Sequence, residues 1–70
     1  MATQQPAELK FRRGDGMYVV MLGDERIGFV ERQGDGGWKA VDTYMAWTQR
    51  YKTRARAGNG LWRHHVQLSR

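Results

Sequence analysis

Apolar residues along this chain come in short runs separated by glycines and acids. Met17-Tyr18-Val19-Val20-Met21-Leu22 is the clearest run, and its β-prone composition predicts a strand. Gly14-Asp15-Gly16 before it and Gly23-Asp24-Glu25 after it read as turns, because glycine and aspartate tolerate the backbone angles a reversal needs. Arg26 to Arg32 predicts a second strand, with Ile27, Phe29 and Val30 apolar. Gln33-Gly34-Asp35-Gly36-Gly37 fits a hairpin connection, and Trp38 to Thr43 predicts a third strand.

Alternation along each strand assigns the faces. Ile27 and Phe29 share one face of the second strand, and Arg26, Gly28, Val30 and Arg32 share the other. Trp38 and Ala40 lie opposite Lys39 and Val41. The simplest pairing buries Ile27, Phe29, Trp38 and Ala40, and leaves Arg26, Arg32 and Lys39 on an open basic face. The first strand is apolar on both sides, so its orientation is undecided.

A sheet with one apolar face needs a cover. Thr53 can cap a helix from Arg54 to His65, with Ala57 and Leu61 four apart on its inner stripe. Gly58 and Gly60 each cost about 1 kcal/mol relative to alanine in a helix interior. Either they let the helix lie close on the sheet, or the helix breaks there and Leu61 to Leu68 forms a separate element. Residues 44–52 fit a fourth strand, an extension of the third, or a loop over the core. Residues 1–10 read as a flexible N-terminal arm and 11–70 as a single small domain. The expected fold is α+β, a three-stranded antiparallel meander packed against one C-terminal helix.

Charge changes the picture. All seven acids, from Glu8 to Asp42, lie in residues 1–42, where six bases face them. Residues 43–70 carry Arg50, Lys52, Arg54, Arg56, Arg63 and Arg70 with no acid, which accounts for the net charge of +5. Bases without interspersed acids create a field that polyanions neutralise, and nucleic acid is the commonest such partner. Bases also interleave with aromatics, in Trp47-Thr48-Gln49-Arg50-Tyr51-Lys52 and Trp62-Arg63-His64-His65. Those aromatics equally suit a core, since a chain of 70 residues needs its large side chains inside.

Catalysis finds little to work with. The only serine is Ser69, and there is no cysteine to act as nucleophile, disulfide partner or zinc ligand. His64 and His65 are adjacent, so on a helix they diverge and cannot chelate as an i, i+4 pair would; one is expected packed and the other solvated. Asp15, Asp24 and Asp35 are explained by their turns. Gly34-Asp35-Gly36-Gly37 lacks the Lys-Ser/Thr and following helix of a phosphate loop. No enzyme activity, cofactor or metal is expected. Met1 to Ala7 has no apolar signal core and no run approaches a membrane span, so a cytoplasmic location is expected.

Arg26-Ile27-Gly28-Phe29-Val30, Gly37-Trp38-Lys39-Ala40 and Thr53-Arg54-Ala55, spread over residues 17–66, resemble the arm-type DNA-binding domain of tyrosine integrases and the plant ethylene-response-type DNA-binding domain. Similar patterns occur in small phage and actinobacterial proteins. The resemblance implies a three-stranded sheet on one helix, its open face in the DNA major groove. Residues 44–52 and the helix glycines depart from that pattern, and no integrase catalytic domain follows, so the binding module would stand alone.

The expected function is therefore non-catalytic binding of duplex DNA. Arg26, Arg32 and Lys39 would enter the groove. Arg12 and Arg13 would reach phosphates from the arm, and Arg50, Lys52, Arg54 and Arg56 would flank the site. The alternatives are a protein-interaction module, for example a phage factor that binds an acidic host protein through a sheet edge or Trp47, and an RNA-binding domain.

Overall fold

The expected strands form, but within a sheet of five. A computed structural model describes residues 8–68. It shows β1 (Leu9–Arg13), β2 (Met17–Leu22), β3 (Glu25–Arg32), β4 (Trp38–Asp42), β5 (Thr48–Tyr51) and α1 (Arg54–Leu68). Every strand pairs antiparallel with its chain neighbour, in the order β1-β2-β3-β4-β5. The α+β class and C-terminal helix stand, and the count of three strands is corrected to five.

The added strands lie at the two edges. Leu9 and Phe11 alternate with Lys10 and Arg12, so β1 buries one side of a stretch expected as part of an arm. Residues 1–7 of that arm lie outside the described residues. β5 takes Thr48–Tyr51 from the ambiguous segment, and 43–47 connects it to β4. Its Thr48, Gln49 and Arg50 are exposed, so hydrogen bonding to β4 and the half-buried Tyr51 ring hold this edge.

One irregularity redirects the faces. Between β2 and β3, Val20 pairs with Gly28 but Met21 pairs with Arg26, leaving Ile27 as an extra residue. This β-bulge breaks the period of two. Ile27 turns inward, 1% exposed, while Phe29 moves to the open face and Val30, 0% exposed, joins Ala40 in the core. Phe29 is therefore not the core residue that unbroken alternation predicted. Arg26 and Arg32, expected on one face, lie on opposite faces.

The helix packs on the β3–β5 side of the sheet. Leu9, Val20, Ile27, Val30, Ala40, Ala57 and Leu61 make one buried cluster, with Phe11, Tyr18, Leu22, Trp38, Trp47, Tyr51 and Trp62 packed around it. Thr53 caps the helix, since the Arg56 N–H donates to its Oγ1 at 3.1 Å. Gly58 and Gly60 do not break α1. A methyl group at Gly58 would collide with the Phe11 ring, and one at Gly60 with the Tyr51 ring and hydroxyl. The glycines are slots that let rings of β1 and β5 lie against the helix backbone. Gly28 is the matching slot in the sheet: its φ is +155°, and a Cβ there would meet the Val41 carbonyl and sit 2.9 Å from Leu61 Cδ2.

Candidate nucleic-acid interface

The sheet face away from α1 is built in three cross-strand rows. Arg12, Val19, Phe29, Val41 and Thr48 form the middle row, one residue from each strand. Lys10, Met21 and Arg26 form a row on one side. Met17, Glu31, Lys39 and Arg50 form the row on the other. The face thus has a half-buried apolar centre of Val19 and Phe29, with cations around it from β1, β3, β4 and β5. Long basic stems can cover the apolar centre while their heads stay in water.

Its electrostatics divide by edge. Lys39 Nζ lies 3.9 Å from Glu31 Oε1 within their row. Arg50 pairs with Asp35 of the β3–β4 turn at 2.5 Å. The Gly37 N–H donates to the same carboxylate at 3.0 Å. That backbone donor, followed by the Arg50 guanidinium, holds the Asp35 carboxyl below its ordinary value of 3.8. Lys10, Arg12 and Arg26 make no ion pair among the described residues. The β1 side of the face therefore carries cations outside any ion pair, with Asp24 the acid beside Lys10 and Arg12, and the β5 side is partly neutralised.

The nine residues singled out from sequence do not form one surface. Arg12, Arg26, Lys39 and Arg50 come together on the open face. Arg13, Arg32 and Arg54 meet instead at the strand ends beside the start of α1, around Tyr18 and Trp38. Arg32 is thereby corrected: the bulge puts it on the helix side, not in the open-face set. Lys52 lies in the β5–α1 turn beside Arg50, and Arg56 is exposed on the first turn of the helix. Lys10 was missed, although its place between Leu9 and Phe11 is the alternation that marks an outward strand position.

A second polar centre was also missed. Asp42 is 4% exposed, and its Oδ1 accepts the Ala46 N–H at 2.7 Å and the Trp47 N–H at 2.9 Å. Its Oδ2 lies 4.0 Å from His64 Nε2, and the His64 ring stacks on Trp47 at 4.3 Å between centroids. Asp42 thus holds the 43–47 connection, including Met45 at a φ of +59°, and presents Tyr44 and Met45 to solvent. Glu25 lies 3.4 Å from His65 Nε2. Both histidines are half-buried beside a carboxylate, so the expected division into one packed and one solvated histidine does not occur. The signal for Asp42 was an acid at a strand end before a turn, where a carboxylate commonly collects backbone N–H groups.

No grouping of three or more His, Cys, Asp or Glu that could hold a metal occurs among the described residues. None of their helices is long and apolar enough to cross a membrane. No family model, curated protein or solved structure matches the chain. The likeness to the integrase arm-type domain thus rests on the short motifs that carry it.

Proposed function

We propose that this protein binds duplex nucleic acid, without catalysis, through the open face of its sheet. The observation that supports the reading is the open-face arrangement itself: Lys10, Arg12, Arg26, Lys39 and Arg50 surround Val19 and Phe29 on one surface. Five strands also alter how such a face meets DNA. At about 4.8 Å per strand, β1 and β5 stand roughly 19 Å apart. A major groove is about 12 Å wide, so the whole sheet is too broad to enter. In this reading β2–β4 face the groove while the edges rest on its two phosphate walls. Lys10, Arg12 and Arg50 then neutralise phosphates, and Arg26 and Lys39 are the side chains placed to reach base edges.

The test is a salt series on a mixed-sequence duplex, followed by site selection. Neutralising about three phosphates gives a slope of log K against log salt near −3. Arg12→Gln should weaken selected and scrambled duplexes alike. Arg26→Gln should narrow the gap between them by about 1–3 kcal/mol. A slope near zero, or no effect of either variant, would sink the reading. The apolar centre favours a second reading, in which single-stranded bases stack on Phe29. Tighter binding to single strands than to duplex, lost in Phe29→Ala, would select it.

A further inference from the structure

Arg13, Arg32 and Arg54 are left over once the open face has been assigned. They line a groove of about 540 Å³ at the opposite side of the sheet, together with the Gly14–Gly16 turn, Met17, Tyr18 and Trp38. The groove is where β1, β3 and α1 bring their ends together: Arg13 closes β1, Arg32 closes β3 and Arg54 opens α1. None of the three makes an ion pair among the described residues, although Asp15 lies in the same wall. Three guanidinium groups against one carboxylate leave the groove net positive, and a multiply charged anion relieves their repulsion.

The aromatic walls make the site more than a charge cluster. The Arg54 guanidinium lies 4.4 Å from the Tyr18 ring centroid and 5.6 Å from that of Phe11. The cation–π contact holds the guanidinium over the ring and still leaves it N–H groups to donate, and a guanidinium can grip phosphate oxygens in pairs. The Tyr18 and Trp38 rings stand 6.0 Å apart, tilted by 51°. The groove volume lies within the roughly 300–1,000 Å³ typical of small-molecule sites and far exceeds what a bare phosphate fills.

We infer that this groove binds a nucleoside phosphate, its terminal phosphate dianion held by Arg13, Arg32 and Arg54 and its base set against Trp38. That chemistry has two sources, a free mononucleotide and the 5′-phosphorylated end of a strand. The site is separate from the duplex-binding face and does not depend on that reading.

The experiment is a two-dimensional NMR titration of the full chain with adenosine 5′-monophosphate, adenosine and inorganic phosphate. Short oligonucleotides with and without a 5′-phosphate complete the set. Adenosine 5′-monophosphate should shift the Trp38 indole, and adenosine should bind about tenfold or more weakly, the loss expected for charge-assisted hydrogen bonds. Arg32→Gln and Arg13→Gln, each checked for retained folding by signal dispersion, should weaken the nucleotide by a similar factor. Lys39→Gln, on the open face, should leave it unchanged while weakening duplex. Competition by only the phosphorylated oligonucleotide assigns the strand end, and no competition by either assigns the free nucleotide. Equal binding of nucleotide and adenosine, or a nucleotide that ignores both arginine variants, overturns the inference. Duplex binding that persists in that case leaves the open-face reading intact.

Discussion

Replacing Gly28 with alanine should destabilise this protein more than any other glycine-to-alanine change at a left-handed position. Two costs combine there. A φ of +155° is disfavoured for a residue with a side chain, at about 1–3 kcal/mol. The added methyl also meets the Val41 carbonyl and lies 2.9 Å from Leu61 Cδ2 and 3.0 Å from Asp42 Cα, so it presses on backbone of β4 and on a fully buried helix residue. Overpacking of that kind costs about 1–3 kcal/mol more. A sum near 4 kcal/mol is comparable with the whole stability of a small domain, at about 0.05–0.15 kcal/mol per residue. Gly16 is the control: its φ is +75°, but no atom lies within 4 Å of a Cβ there, so only a backbone cost of about 1–2 kcal/mol applies. Urea unfolding followed by far-ultraviolet circular dichroism measures both variants. If Gly28→Ala and Gly16→Ala fall within about 1 kcal/mol of each other, the close approach of Val41 and Leu61 to Gly28 adds no cost and the reasoning fails.

Two further outcomes follow from the polar contacts. Asp42→Ala should cost about 2–3 kcal/mol in the same urea assay, because the Ala46 and Trp47 N–H groups lose their acceptor; Asp42→Asn, which keeps an oxygen there, should cost less, and a neutral alanine variant would contradict the account of the 43–47 connection. Asp35 should titrate below 3.8 by NMR, and Arg50→Ala should restore only part of the shift, since the Gly37 N–H is the larger cause. Because its folded value is depressed, the stabilisation this contact gives is present above the ordinary value and is lost as pH falls through the folded one. Full restoration by Arg50→Ala would reverse that ranking.

Much of the fold could be read from residue patterns, and the failures have physical causes. Glycine-containing turns bound β2 and β3 at both ends and β4 at its start, and Thr53 marks the helix start, so their approximate positions were legible. β1 was hidden because its alternation spans only Leu9 to Arg12 beside a polar leader. β5 was hidden because Thr48-Gln49-Arg50 buries almost nothing. The face assignment failed at one residue: unbroken alternation carries Ile27 and Phe29 to the same side, and the bulge at Ile27 separates them. Gly28 inside a strand was the available signal, since glycine there often marks a bulge or a close backbone approach. That single slip divided the candidate site, because it decides which arginines of β3 share a surface.

The strand order carries a consequence for how the chain folds. Each strand pairs with the one before it, across connections of two to five residues. Little chain entropy has to be surrendered to close loops that short, so the sheet can grow hairpin by hairpin. The contacts that span far along the chain are those of α1, Leu61 against Gly28 and Gly58 against the Phe11 ring, which join the helix to the first two hairpins. The meander sets a low kinetic threshold for most of the structure, and docking of α1 is the step that must wait for distant parts of the chain to meet.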